Sequence, residues 1–415
     1  YEEDFKMYEL EYVLKNIKER AAGPNVTKNN ILKKLGTYGK LFLLNIVNHS
    51  YINNIIPDQW KNAKVTMIPK TPHDAHNPNN YRPISLTNTI VKVIEKLIKN
   101  RLVFFLKSKN LIIENQSGFR SNKRTIDNLF YFKQKCLEAF SLKRKRNVNK
   151  VVGIVFDIEK AFDKVWHDGL LYKMHQIRIP KKIAMWIKNF LKNRTFYVNV
   201  NGKDSKYYSL FTSVPQGSIL SAILFLIFIN DVPTTVFNYE HISRALLFAD
   251  DLFKFAYDHN LKRLQIILQR YLDELEIWLS KWRLKTAAKK CSYNIYTENG
   301  QCNEEIHLEI FGNKINKENN PKYLGVHLDQ NVSFKHHIEK TKEKCLRKIN
   351  FIKVLRSKKW DANVATKIKV YNALIRSNVD YAGPILVNVS EQCKDTIESI
   401  QSVSYTHLTL PTNRE

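Results

Sequence analysis

Three aspartates carry the chemistry that this sequence suggests. Residues 246–255 read Leu-Leu-Phe-Ala-Asp-Asp-Leu-Phe-Lys-Phe, with the adjacent carboxylates Asp250 and Asp251 set between two apolar runs. Like charges this close repel, and burial raises the cost, so the pair is tolerable only in water or around a cation. Taken alone, a solvated Asp-Asp turn explains it. A second apolar run, residues 151–157 (Val-Val-Gly-Ile-Val-Phe-Asp), also finishes on a carboxylate. Beside the first pair it would set Asp157 next to Asp250, gathering hard oxygen donors of the kind that Mg²⁺, or Mn²⁺ in its place, prefers. Two such ions roughly 3.5–4 Å apart activate a hydroxyl and neutralise the leaving oxygen in phosphoryl transfer.

Other residues suit the same chemistry. Lys70 and Arg82 bracket the polar loop 71–80. A lysine offers a point charge and an arginine a planar fork to a triphosphate, although solvated surface cations are the plainer reading. Just beyond Asp157 lies Phe162, whose ring would leave no room for an extra sugar hydroxyl and would select deoxyribose; a core aromatic is the alternative. Asp163 and Asp168 read as helix caps. In Val214-Pro215-Gln216-Gly217-Ser218, Gly217 lets backbone approach a ligand and Gln216 offers a nucleotide both donor and acceptor. Of Lys289 and Lys290, one could protonate a departing pyrophosphate.

The elements that must position these groups alternate between strand and helix patterns. Strands are expected at 64–68, 151–157, on both sides of Asp250-Asp251, and at 196–200 and 206–210 around the hairpin signal Asn201-Gly202. Helical spacing recurs in 4–20, in 27–35 behind a Thr27 cap, in 38–56 up to Pro57, around Ile90 to Phe105, from Ile126 to Phe132, and in the apolar run 219–229. Leu268, Leu272, Leu275, Trp278, Leu279 and Trp282 form a stripe that reads as core packing. Pro321 to Val326 reads as a short strand with a turn.

Composition narrows the partners. The 415 residues hold 67 Lys and Arg against 39 Asp and Glu, a formal charge of +28 that suits a polyanion. Between 335 and 370, twelve basic side chains face three acidic ones at helical spacing, so one helical face should follow a phosphate backbone. The basic run 143–146 reads as a solvated loop rather than a localisation signal. No apolar run approaches the ~20 residues that span a bilayer, so no membrane partner is expected. Five scattered cysteines read as reduced thiols in an intracellular compartment. The start at Tyr1 carries no signal-like segment, and the chain reads as an internal piece of a longer protein.

Together these strings resemble the reverse transcriptase of a non-LTR (LINE-type) retrotransposon of the jockey-like kind. The resemblance rests on Trp60-Lys61 with Ile68-Pro69-Lys70, Tyr81-Arg82-Pro83-Ile84-Ser85-Leu86, Ser117-Gly118-Phe119-Arg120, Phe156-Asp157 with Lys160-Ala161-Phe162-Asp163, Val214-Pro215-Gln216-Gly217-Ser218, Phe248-Ala249-Asp250-Asp251, and Tyr323-Leu324-Gly325. It runs from about residue 23 to 384, and the order of the strings makes it specific.

The resemblance implies an α+β right-hand polymerase fold of fingers, palm and thumb, with an antiparallel palm sheet carrying the catalytic carboxylates. It implies an RNA-directed DNA polymerase that extends a DNA primer on an RNA template with Mg²⁺ and deoxynucleoside triphosphates, working in cytoplasm and nucleus as a ribonucleoprotein. Metal binding falls to Asp157, Asp250 and Asp251, triphosphate contacts to Lys70 and Arg82, sugar selection to Phe162, nucleotide and template contacts to Gln216 beside Gly217, and the general acid to Lys290. Tyr323, Leu324 and Gly325 would grip the primer.

The expected divisions are a helical extension (1–56), fingers and upper palm (57–150), palm (151–300), primer-grip hairpin (301–330), basic thumb (331–395) and a tail (396–415) whose end resembles translated adaptor sequence. Ser213, Ala222 and Ala287 depart from the family's usual Gly, Pro and Asn. A decayed copy that serves only as an RNA-binding scaffold is the rival reading.

Overall fold

The computed structural model describes residues 1–18, 23–24, 29–70, 77–144, 147–148, 150–236, 238–300, 302–357 and 363–409. Thr27, part of the 71–80 loop, the end of the 143–146 run and residues 410–415 of the tail lie outside them. The chain forms two compact units, each drawn from three stretches: Tyr1–Phe119, Ile158–Val232 and Trp278–Lys285 in the first, and Arg120–Asp157, Pro233–Ile277 and Thr286–Glu415 in the second.

The first unit couples helices to a small mixed sheet. Its strands run in the order Tyr81–Leu86, Asn62–Pro69, Arg194–Val200, Lys203–Asp204, and Tyr208–Leu210 also pairs with Arg194–Val200. Asn201 and Gly202 both take positive φ, 51° and 81°, in the two-residue turn that the Asn-Gly signal called for. Tyr81–Leu86 is a strand that the sequence concealed, because Pro83 argues against one. It is tolerated at the edge of the sheet, with only Asn62–Pro69 for a neighbour.

Helix Thr89–Ser108 begins where the Asn88 side chain accepts the Ile90 N–H at 2.8 Å. It buries Val91, Ile94, Leu97, Ile98, Leu102 and Phe105. Helix Ser221–Phe228 is apolar all round and sits in the core, consistent with its composition.

The second unit is built on a five-stranded sheet in the order Asn316–Lys317, Ser292–Tyr296, Lys150–Asp157, Asp251–Asp258, Ser243–Phe248. Lys150–Asp157 is central, which explains its unbroken apolar run: both of its faces are covered. Its contacts with both neighbours are antiparallel, and the sheet's one parallel pairing is Ser292–Tyr296 with Asn316–Lys317. Gly153 is required there, since a Cβ would lie 2.7 Å from the Phe253 ring.

Helix Thr125–Ser141 packs Leu129, Phe132, Cys136 and Phe140 into the same core as Phe253, Phe255 and Tyr296. Helix Leu261–Lys281 begins in this unit and buries Leu264, Leu268, Tyr271, Leu272 and Leu275 within it. Beyond the sheet come the hairpin of Lys322–Tyr323 with Val326–His327, then helices Lys335–Ser357, Val364–Tyr371 and Glu391–Thr409. The last helix continues through the composition change at 403. All five cysteines are free and buried.

Candidate active site

The acidic hairpin forms as its pattern requires. Phe248 pairs with Asp251, leaving Ala249 and Asp250 as a two-residue turn, with Ala249 at φ 58°. A non-glycine residue in that conformation is uncommon, and only a small side chain makes it cheap. On the other side Asp251 stands directly across the ladder from Asp157. Directly opposed residues of antiparallel strands project from the same face, so these two carboxylates share one side of the sheet. The sequence reading put Asp250 beside Asp157. The register gives that place to Asp251 and leaves Asp250 in the turn, because the tight loop takes up one of the two acids.

The charges answer to this placement. Burial, then the neighbouring charges of Asp250 and Asp157, push the Asp251 carboxyl up to about 6. Lys290 follows a short turn, Ala288–Lys290, and its Nζ lies 2.7 Å from Asp157 Oδ2. The Ala287 N–H donates to the Asp157 carbonyl at 2.8 Å and ties that turn to the strand end.

The donor set fits a divalent cation. It consists of oxygens alone, and Asp251, raised first by burial and then by the charges of Asp250 and Asp157, is a carboxylate whose ionised form a cation would favour. Among the described residues no three His, Cys, Asp or Glu side chains close into a cage of their own.

The first unit holds the remaining groups around the 213–218 loop. The Gln216 side-chain amide donates to Asp163 Oδ1 at 3.0 Å, and its backbone carbonyl accepts the Ser85 N–H at 2.7 Å. Asp163 is therefore not the cap that its sequence position suggested. It orients Gln216, and burial raises its carboxyl despite that hydrogen bond and the nearby charges of Lys160 and Lys70. Asp168 does lie in the first turn of helix His167–Gln176, where it faces the positive helix end, but no side-chain cap forms.

Gly217 has φ 123°, and a Cβ there would overlap the Ser85 carbonyl oxygen, so only glycine fits. Gln216, Asp163 and Arg194 are among the polar residues lining a cavity of about 340 Å³, whose apolar lining includes Val65, Pro83 and Leu210. Phe162 is half-buried, stacked on Phe225 with centroids 4.4 Å apart and edge-on to Phe119 at 6.3 Å. Lys70 and Arg82 are exposed at the open ends of paired strands, where Ile68 faces Arg82 and the Lys70 N–H donates to the Asn80 carbonyl at 2.7 Å.

In the second unit, Tyr323 is 1% exposed, stacks on Phe253 at 4.7 Å, and its hydroxyl accepts from Asn128 at 3.2 Å. Its ring anchors the hairpin, whose turn residues Leu324 and Gly325 take φ 45° and 83°, and the Leu324 carbonyl accepts from the Tyr381 hydroxyl at 2.7 Å. Lys322, Gly325, His337, Lys340, Lys344 and Tyr381 line a polar cavity of about 360 Å³. Sequence reasoning missed Glu95 and Arg194, which are 0% and 1% exposed. A charged residue four positions after Val91 and three before Ile98, on a stripe that is otherwise buried, was the available signal for Glu95.

Comparison with known proteins gives four findings. A family model described as "Reverse transcriptase (RNA-dependent DNA polymerase)" matches residues 68–328. The "RNA-directed DNA polymerase from mobile element jockey" of Drosophila melanogaster is 30% identical over 362 residues, covering 86% of this chain and 38% of that protein. The "Probable RNA-directed DNA polymerase from transposon BS" of the same organism is 30% identical over 358 residues, covering 85% and 39%. The chain thus spans about four-tenths of the length of these relatives. Among solved structures, apo telomerase from Candida tropicalis aligns at 12% identity over 89% of this chain and 71% of that one, with a TM-score of 0.45.

Proposed function

Because the chain belongs to the reverse transcriptase (RNA-dependent DNA polymerase) family, we propose that it extends a DNA primer 3′-hydroxyl on an RNA template, as part of a non-LTR retrotransposon protein. The observation that carries the proposal is the register of Asp157 against Asp251, with Asp250 in the adjoining turn.

Members of this family depend on divalent metal, and Asp157, Asp250 and Asp251 are the residues that would hold two Mg²⁺ ions, or Mn²⁺ in their place. Bound there, the ions would activate the primer hydroxyl and neutralise the leaving oxygen. Lys290, drawn to Asp157 at 2.7 Å, is placed to give its proton to departing pyrophosphate. Lys70 and Arg82 would take the triphosphate, Phe162 would exclude a 2′-hydroxyl, and Gln216, its amide fixed by Asp163, would present its carbonyl oxygen to nucleotide or template.

The exposed lysines of helix Lys335–Ser357, Lys335, Lys340 and Lys344, together with the 324–325 backbone, would follow the nucleic-acid phosphates. In this reading the five-stranded sheet is the palm and the basic helices the thumb. The working particle is a ribonucleoprotein that acts in cytoplasm and nucleus. Among the described residues no helix is long and apolar enough to cross a membrane.

The test is incorporation of labelled deoxynucleotide by the purified chain on an RNA template with annealed DNA primer. Template-dependent extension that stops when EDTA removes Mg²⁺ is expected. A chain that binds the hybrid but adds no nucleotide under any divalent ion would overturn the proposal.

A further inference from the structure

Glu95 has no place in the chemistry above, yet it is fully buried in the first unit. A carboxylate in a core costs more than an apolar residue of similar size, unless its oxygens are fully engaged. Here one oxygen, Oε2, accepts three hydrogen bonds, from the Ser218 hydroxyl, from the Ile219 N–H at 2.7 Å and from the Leu220 N–H at 3.2 Å, while Oε1 is buried with no hydrogen-bond partner among the described residues, and burial raises the carboxyl's pKa. These donors immediately follow Gln216 and Gly217 and precede helix Ser221–Phe228. The countercharge is Arg194, itself 1% exposed, whose guanidinium donates to the Phe190 carbonyl at 3.1 Å and reaches Glu95 through the field.

The loop is held at its start by the Ser213 N–H on the Val165 carbonyl and the Val214 N–H on the Phe162 carbonyl, both at 3.0 Å, and the Ser221 hydroxyl donates to the Pro215 carbonyl at 2.6 Å. The Ser85 N–H holds the Gln216 carbonyl, Asp163 holds the Gln216 amide, and the Ser218 N–H donates to the Pro215 carbonyl at 3.0 Å. Glu95 binds the Ser218 hydroxyl and the Ile219 and Leu220 amides from outside the loop, the Leu220 N–H also reaching the Ser218 hydroxyl at 3.2 Å. We propose that Glu95 is a positioning residue for nucleotide recognition: from helix Thr89–Ser108 its carboxylate clamps Ser218 and the next two amides, and so fixes where Gln216 and Gly217 meet the incoming nucleotide. The inference rests on the reading of Gln216 as a nucleotide contact. It concerns a residue that never touches substrate.

The experiment compares the full chain with Glu95→Ala, Glu95→Gln and Ser218→Ala in two measurements. Hydrogen exchange of the peptide spanning 215–221 reads the clamp directly, and steady-state incorporation reads KM for deoxynucleotide against kcat. Glu95→Ala should speed exchange of the Ile219 and Leu220 amides by at least about tenfold. It should also raise KM by about tenfold with kcat within about threefold, since the loss falls on binding rather than on the chemical step. Glu95→Gln keeps an acceptor oxygen and should restore both readouts to near wild type.

Ser218→Ala leaves both buried charges in place and carries the test if Glu95→Ala fails to fold; it should raise KM about threefold. A fall in kcat at constant KM, or equal damage from Gln and Ala, would overturn the proposal. If the wild-type chain incorporates nothing, the polymerase reading fails. The exchange measurement still decides the clamp, and unchanged exchange in both Ala variants would refute it.

Discussion

Asp251 faces Asp157 across two adjacent antiparallel strands, and the two carboxylates repel each other on one face of the sheet. The Asp251 pKa, raised from 3.8 to about 6, means that its ionised form destabilises the folded chain. This penalty is absent below about pH 4, grows through the interval between the two values, and is fully present above about pH 6. The carboxyl is partly desolvated at the strand end while the residue as a whole keeps an exposed side, so solvent screening reduces the cost to about 1 kcal/mol. Asp251→Asn should therefore raise the unfolding midpoint in EDTA at neutral pH. Added Mg²⁺ should stabilise the wild type and leave the variant unmoved. Thermal melts with and without Mg²⁺ check this, and a variant that Mg²⁺ still stabilises fully would remove Asp251 from the ion site.

Ser213 stands in a backbone conformation that glycine adopts at less cost. Its φ is 93°, in the region where a side chain is strained, while its N–H donates to the Val165 carbonyl at 3.0 Å and its carbonyl oxygen lies 2.8 Å from His167 Nε2. Ser213→Gly should stabilise the chain by about 1 kcal/mol, a shift of about 1 °C in Tm for a protein of this size. Calorimetry gives the answer, and a lower Tm would show that the serine side chain stabilises more than its backbone costs.

Phe162 is held by its stack on Phe225 and is half-buried. Phe162→Val keeps an apolar residue on Phe225 and opens space where a 2′-hydroxyl would sit. Preference for deoxynucleotide over ribonucleotide should fall by at least about tenfold in competitive incorporation. Unchanged discrimination would make Phe162 a packing residue only.

The parts legible in the sequence were those set by local pattern. The run ending at Asp157, the acidic hairpin and the Asn201-Gly202 turn each declare themselves in a few neighbouring residues. What escaped depends on contacts far apart in the chain. Ser292–Tyr296 lies beside Lys150–Asp157 through tertiary packing alone. Asp163 looked like a cap because its partner, Gln216, is distant in sequence. Pro83 disguised an edge strand. Glu95 read as one more position of a structural helix, since periodicity marks a buried face but not what a charge on that face binds.

His337 makes the second unit sensitive to acid. Burial chiefly, then nearby His327 and Lys322, lower its pKa from 6.5 to about 4. The unfolded chain therefore binds a proton that the folded chain refuses, and stability falls as pH drops from about 6.5 towards 4. The full loss is up to about 3 kcal/mol. Urea denaturation across that range should show the decline, and His337→Gln should flatten it; an identical slope in the variant would assign the acid sensitivity elsewhere.

The central claim is that Asp157, Asp250 and Asp251 together support nucleotide addition. The most direct measurement is RNA-templated primer extension by Asp250→Ala beside the wild type, with hybrid binding measured on the same preparations. Incorporation should fall by at least about a thousandfold while binding stays unchanged, as expected when several kcal/mol of charge stabilisation are lost. Extension by Asp250→Ala at the wild-type rate would contradict the account.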